Sequence, residues 1–294
     1  ERLRAHASSQ HYVPFSSQAV QNAVDALTAF RNMQSPLGGI YYACKGSLGN
    51  QGDQPVNPYE ISVENNASVL AGLYIVQTTL NEELQYETGL SQADKDRIES
   101  TLAAVDVMIN GGVTIQGYRT EGILSFLKNC GWDHANGIFL QGGLANQPGS
   151  PDWVPTNEPK AVDVSTWGAA VVGQPTIDSW FGFGTAFQLW QNVKGWGGYF
   201  GPDGHLWGVG YSDLDGNGTG GDYRNGINSG EWTAGAINLV RCLIVQYGEA
   251  STSSQYTPEQ QCQAGQYVQS LQADHDSMFG NLMSLRTDKY EAST

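Results

Sequence analysis

Apolar side chains recur at helical spacing over residues 17–33, 63–80, 91–110, 118–129, 163–173, 176–194, 230–248 and 258–286. Each stretch reads as a helix with a buried stripe. The stretch at 91–110 opens on Ser91, with Asp94 three positions later, which resembles a capping box with a shorter acid. Long runs rich in Gly, Pro and Asn separate the helices. Period-two alternation is scarce, and only "GGIYYA" and "GGYFGPDG" read as short hairpins at loop bases. The expected class is all-α.

The polar positions repeat as well. "LGGIYYACKGSLGNQGDQPVNPYEISVENNASVLAGLYIV", "ANGIFLQGGLANQPGSPDWVPTNEPKAVDVSTWGAAVVG" and "GWGGYFGPDGHLWGVGYSDLDGNGTGGDYRNGINSGEWTAGAINLV" follow one plan. A Gly with an aromatic or aliphatic pair leads into a long loop. A polar segment then opens a helix of small residues. Aligned there, Ile61, Val162 and Ile227 coincide, as do Ser62, Asp163 and Asn228, and Asn66, Trp167 and Trp232. Long loops are uncommon unless they carry function, and here each precedes the same kind of helix. The physical reading is a stack of helical hairpins closing into a ring, one domain over residues 1–294. Ala67, Ala71, Gly72, Gly168, Ala169, Ala170, Ala234, Gly235 and Ala236 would let inner helices approach closely. A plain bundle would use the same small residues for packing alone.

Composition narrows the partners. A net charge of −15, with 14 Lys and Arg and no visible basic cluster, repels nucleic acid and anionic membranes. A neutral or cationic ligand fits better than a polyanion. No apolar run reaches the length of a membrane span. The start, "ERLRAHASSQHYVP", lacks the apolar core of a signal peptide, and one removed beforehand is compatible with it. With 37 Gly, 14 Tyr and 8 Trp against 15% charged residues, the balance fits an extracellular, carbohydrate-handling chain. Cys44, Cys130, Cys242 and Cys262 show no metal-ligand spacing; two disulfides and four free thiols are both open. Asn66 and Asn217 stand in glycosylation sequons, a pattern common by chance.

The three helix starts "ISVENNASVLAGL", "VDVSTWGAAVV" and "INSGEWTAGAINL", with their aromatic loops, resemble the (α/α) toroid enzymes over roughly 35–248. That group includes six-hairpin glycoside hydrolases, related polysaccharide lyases, and terpene cyclases. For the glycosidases, the resemblance implies acidic residues near inner-helix N-termini acting as acid and base across an aromatic-lined cleft.

Glycoside hydrolysis needs two carboxyl groups, roughly 5–5.5 Å apart for retention and roughly 6.5–9.5 Å for inversion. Glu64 leads the candidates, flanked by Asn65 and Asn66 as hydroxyl binders, with Glu60 close by. Asp163 lies between apolar residues, and Glu231 stands beside Trp232. Glu64 and Asp163 form the expected pair, with Glu231 in reserve. Ordinary capping and the helix dipole explain each acid alone. Asp178 reads as an N-cap, and Asp133 sits in a loop with Trp132 and His134.

The aromatics Trp132, Trp153, Trp167, Trp196, Tyr199, Trp207, Tyr211, Tyr223 and Trp232 are expected in or beside the loop face, where rings stack on sugar C–H surfaces. Singly, each would do no more than pin a loop to a helix. "DLDGNGTGGD" places Asp213, Asp215 and Asn217 like the first half of an EF-hand loop. Arg224 stands where the bidentate Glu belongs, so Asp222 would have to substitute in a calcium site. No cofactor is otherwise required. Walker, dinucleotide, HExxH and GxSxG motifs are absent, and DxDD cyclase signatures with them.

The expectation is a secreted or periplasmic (α/α) toroid that hydrolyses a neutral poly- or oligosaccharide. A non-catalytic glycan-binding or host-interaction protein is the alternative. A lyase ranks lower, because Arg119 and Arg224 are the only loop arginines suited to a uronate.

Overall fold

The computed structural model describes residues 18–42, 59–115, 118–145, 152–156, 160–214 and 228–285. The protein is mostly helical. Its helices are α1 (Gln18–Asn32), α2 (Val63–Tyr86), α3 (Gln92–Asn110), α4 (Ile123–Asn129), α5 (Val162–Val172), α6 (Gln174–Phe181), α7 (Thr185–Gly197), α8 (Gly230–Ala250) and α9 (Pro258–Asn281). Its strands are β1 (Tyr59–Ser62), β2 (Gly111–Ile115), β3 (Tyr118–Glu121), β4 (Trp132–Asp133), β5 (Ile138–Phe139), β6 (Gly142–Ala145), β7 (Val154–Thr156), β8 (Gly198–Phe200) and β9 (Leu206–Val209). A 3₁₀ turn, Leu282–Leu285, follows α9. The chain packs as two compact units. One holds residues 1–130 with 142–155, and the other holds 131–141 with 156–294.

In the first unit, α2 and α3 form a helical hairpin. Leu80 and Ile98 meet at its centre, with Val24, Val76, Leu84, Leu90 and Leu102 packed around them. Ser91 caps α3 as its sequence predicts, accepting from Asp94 N at 3.1 Å. The Asp94 carboxylate accepts from the Ser91 hydroxyl at 2.7 Å, since the shorter acid stops at the side chain. The start of α2 is anchored by β1, which pairs antiparallel with β6 from Tyr59↔Ala145 to Ser62↔Gly142. One expected helix is shorter than its pattern: residues 118–121 form β3, paired with β2, and α4 begins only at Ile123.

In the second unit α5 and α8 run one way and α7 and α9 the other. Near the starts of α5 and α8, a Cβ on Gly235 would lie 3.8 Å from Thr166 Oγ1. Near their far ends, Gln174 N donates to Gln246 Oε1 at 2.8 Å. Contacts that advance together along both chains mean the two helices run parallel. α7 runs the other way: Phe187, near its start, meets Tyr247 late in α8, and Gly197, at its end, touches Val162 at the start of α5. α9 follows α7, with Tyr267 stacked on Phe187 and Asp274 bonded to Trp190 and Lys194. α5 and α8 thus run parallel, with α7 and α9 antiparallel to them.

The expected helix over 176–194 is broken in two. Gly182 and Gly184 hold φ values of 109° and 92°, which L side chains avoid, so the chain turns there and α7 starts afresh. Gly184 also lies under Tyr267, whose hydroxyl would be 2.6 Å from an added Cβ. Gly184→Ala is therefore expected to destabilise the second unit by about 1–3 kcal/mol, read as a lower thermal midpoint; an unchanged midpoint would mean the turn relaxes freely.

Candidate functional site

The helix starts share a plan finer than their sequences suggest. α2 is capped by Ser62, which accepts from Asn65 N at 3.2 Å, and α8 by Ser229, which accepts from Trp232 N at 3.5 Å. The residue before α5 is Ala161, which provides no side-chain cap. Asp163 is thus not the N-cap. Counted from Ser62, Ala161 and Ser229, the acids Glu64, Asp163 and Glu231 each hold the second helical position. The sequence alignment of Ser62 with Asp163 and Asn228 is out by two residues in the second copy and one in the third. At the second position a carboxylate faces the unsatisfied N–H groups and the positive end of the helix.

Two residues beyond each acid stands a buried polar residue: Asn66 (1% exposed), Ser165 (0%) and Thr233 (0%). Each holds the backbone of the preceding segment. Asn66 Oδ1 accepts from Ile40 N at 2.7 Å, and its Nδ2 donates to Ile40 O at 3.1 Å and Ser62 O at 2.7 Å. Ser165 Oγ donates to Phe139 O at 3.5 Å. Thr233 Oγ1 accepts from Val209 N and donates to Asn228 Oδ1, both at 3.0 Å. Gly208 permits the last approach, since a Cβ there would lie 2.5 Å from Thr233 Oγ1. The signal was present in the sequence as acid, any residue, then Asn, Ser or Thr: "ENN", "DVS" and "EWT". Asn66, expected to bind hydroxyls, is committed to its own chain instead, and its burial also removes it as a glycan acceptor.

Within the second unit, two of these starts are linked. The segment before α5 runs beside the segment leaving β9. Ala161 bridges Ser212, Val162 N donates to Tyr211 O at 2.9 Å, and Lys160 N donates to Asp213 Oδ1 at 3.1 Å. The Tyr211 ring then meets the Trp232 ring edge-on at 4.6 Å. Asp163 follows Val162 and Glu231 precedes Trp232, so this zipper ties together two acid-bearing turns. Tyr211 is 44% exposed, and Trp167, one turn into α5, is 39% exposed. Glu231 is exposed and Asp163 half-buried.

Other expected residues fall elsewhere. Glu64 is exposed in the first unit, as are Glu60 and Asn65 beside it. Trp132 is buried, stacked on Phe181 at 4.6 Å and edge-on to Phe139. Trp153 packs against Phe126 in the first unit. Trp207 folds over its own hairpin, its indole N–H bonded to Asp203 Oδ1 at 3.1 Å. These three pin loops, the ordinary role for a large ring. Trp196 lines a cavity with Gln191, Asn192 and the β4–β5 turn.

Asp133 organises that turn, accepting from Ala135 N and Asn136 N. Asp178 lies within α6 and so is not its cap; its carboxylate accepts from Gly184 N and Ala186 N, capping α7 instead.

Of the calcium candidates, Asp213 is described, while Asp215, Asn217 and Asp222 lie outside the described residues, as do Tyr223 and Cys44. Among the described residues no group of three or more His, Cys, Asp or Glu is arranged to hold a metal, and no helix is long and apolar enough to cross a membrane. Cys130, Cys242 and Cys262 are free thiols. Compared with protein-family models, with curated proteins and with solved structures, the chain gives no match.

Proposed function

We propose that the protein is a secreted or periplasmic (α/α) toroid glycoside hydrolase acting on a neutral poly- or oligosaccharide. The observation that carries the reading is the linked pair of helix starts in the second unit. Two parallel helices there each offer a carboxylate at the same position, bridged by exposed and half-exposed aromatic rings. One acid would protonate the leaving oxygen and the other would activate water or attack the sugar. In this reading Asp163 and Glu231 form the pair. Glu231 rises from reserve because the second unit joins its helix start to that of Asp163. Glu64 holds the equivalent position in the first unit and is tested beside them.

A second reading, a glycan-binding protein without turnover, is favoured by the exposure of Tyr211, Trp167 and Glu231. Rings on an open surface suit docking along a chain, and the helix dipole alone accounts for the acids.

The test is product release from glucans, mannans, xylans, galactans and chitosan, with Asp163→Asn, Glu231→Gln and Glu64→Gln. Hydrolysis by the parent, lost at least a hundredfold in Asp163→Asn and Glu231→Gln with unchanged melting, is expected. Saturable binding without release, indifferent to all three substitutions but lost in Trp232→Ala, would instead establish the binding protein. Products absorbing in the ultraviolet would identify a lyase.

A further inference from the structure

The outward face of α8 and α9, on the second unit, leaves its largest apolar side chains uncovered. Val245 on α8 is 60% exposed, Phe279 on α9 is 62% exposed, and Met283 in the 3₁₀ turn after α9 is 64% exposed. Among the described residues of that unit, no other large apolar side chain is so exposed. The three are joined by one surface. Arg241, Cys242, Val245, Gln272 and His275 line a groove between the two helices. The His275 ring stacks on Phe279 at 5.7 Å, which extends the groove to its second apolar end. Met283 follows one helical turn later. Exposed apolar surface gathered in this way marks an interaction site.

The middle of the face carries charge of both signs. Arg241 is exposed, and its guanidinium makes no ion pair among the described residues. Asp276, on α9, has a side chain 66% exposed. Gln272 Nε2 donates to Asp276 Oδ1 at 2.7 Å, and His275 Nδ1 meets the same oxygen at 2.9 Å. Both use Oδ1, so Oδ2 is open to a further donor. No carboxylate lines the groove itself, in a chain whose net charge is −15. Copies of such a chain repel wherever acids face acids. This face, with its cation and its acid side by side, is one on which two copies can meet.

The face is also complementary to itself. α8 and α9 run antiparallel, and the Tyr247 and Tyr267 rings meet at 5.1 Å. Both helices rise equally per residue. Counting back along α8 and forward along α9 from that pair, Arg241 comes level with Ala273, and Gly235 with Phe279. A twofold axis normal to the face, between the helices at the level of Val240 and Asp274, carries Val245 onto position 279. It carries Arg241 onto position 275, beside Asp276. An isologous contact requires such a match, with every pair made twice. We propose that this face docks a second copy of the chain, with Val245 on the partner's Phe279 and Arg241 on the partner's Asp276. Two helices about 30 Å long and about 10 Å apart offer about 600 Å² to each partner. That is below the roughly 800 Å² of a standard interface, so the dimer is reversible, with a Kd on the order of 10–100 μM. The proposal does not depend on the reaction the protein catalyses.

The experiment is analytical ultracentrifugation of the full chain across a concentration series, with each variant first checked for unchanged melting. A reversible dimer is expected. Val245→Asp and Phe279→Asp change exposed positions and should each weaken it at least tenfold. Arg241→Glu sets acid against acid across the axis, and Asp276→Arg sets cation against cation. Each of these variants alone should stay monomeric over the same series. Mixed in equal amounts, they should dimerise again, because each introduced charge then faces its opposite and so does each unaltered one. An ion pair made within one chain cannot give this result, since neither variant contains a matched pair of its own. A chain that remains monomeric at about 500 μM overturns the proposal, and that is the result if another part of the chain or a different protein covers the face. A dimer that Val245→Asp and Phe279→Asp leave intact overturns it too, since it would use another surface. So does a mixture of the two charge variants that stays monomeric.

Discussion

Asp178→Ala is expected to destabilise the second unit by about 3–5 kcal/mol, the scale for breaking a buried charged network. Asp178 is 8% exposed. Its carboxylate accepts from Gly184 N, Ala186 N and Gln174 Nε2, all at 2.9 Å, and from the Tyr247 hydroxyl at 3.0 Å. The charge is met by the N-terminus of α7, where free N–H groups and the helix dipole favour an anion. Alanine would leave these buried donors without their acceptor. The measurement is chemical unfolding followed in the second unit, where a lower midpoint at constant slope reports stability. A loss under about 1 kcal/mol would mean that water replaces the carboxylate. Asp178→Asn should fall between, because the amide oxygen still accepts while its nitrogen opposes a donor.

The same network carries a pH dependence. Burial, with the nearby Asp178 charge adding to it, pushes the Tyr247 phenol well above its ordinary value of 10.0. Below about pH 10 the folded and unfolded chains both keep this proton. Above it only the unfolded chain releases the proton, so unfolding is favoured and stability falls. One such group contributes about 1.4 kcal/mol per pH unit. Tyr247→Phe should flatten the decline by one proton's slope, whatever its effect at neutral pH.

Asn66→Ala is expected to cost the first unit about 2–4 kcal/mol. It strands Ile40 N–H and C=O in the interior, at about 1–3 kcal/mol for each group left unpaired. The equivalents should rank below it. Thr233→Val leaves Val209 N–H unpaired and should cost about 1–3 kcal/mol. Ser165→Ala removes one long contact and should cost about 1 kcal/mol or less. This order follows from the number of backbone groups each side chain holds: two of Ile40 and one of Ser62 for Asn66, one firmly for Thr233, one weakly for Ser165. Equal losses at all three positions would deny that the polar residue is what pins each preceding segment. Denaturation midpoints for the three variants decide it.

Helix placement was legible along the chain because a 3.6-residue apolar stripe is a local property. α1, α3, α5 and α8 begin and end within two residues of their patterns. Ser91 was readable as a cap for the same reason, since a cap and its N–H partner are near neighbours. The break at Gly182–Gly184 was missed because a helix tolerates glycine; the positive φ values and the fit under Tyr267 belong to the packed unit. The strand at 118–121 likewise depends on β2 as its partner.

The acids were legible as residues near helix starts, but not their register. Loops of unequal length hide which residue is the cap, so the sequence does not tell that Asp163 holds the second position, after Ala161. The aromatic residues were legible only as a group. Whether a ring faces solvent or a neighbour depends on contacts far along the chain, and these bury Trp132 against Phe181 while leaving Trp167 and Tyr211 exposed. By itself, the sequence determined a mostly helical chain, its acidic character and the small-residue helices with acids at their starts. These follow from spacing and composition. Tertiary structure alone decided that α5 and α8 run parallel, that their starts are zipped through Lys160–Val162 and Tyr211–Asp213, and that Asp178 caps the helix after its own. Each of these joins groups distant in the chain or depends on a turn, and only the packed fold brings them into contact.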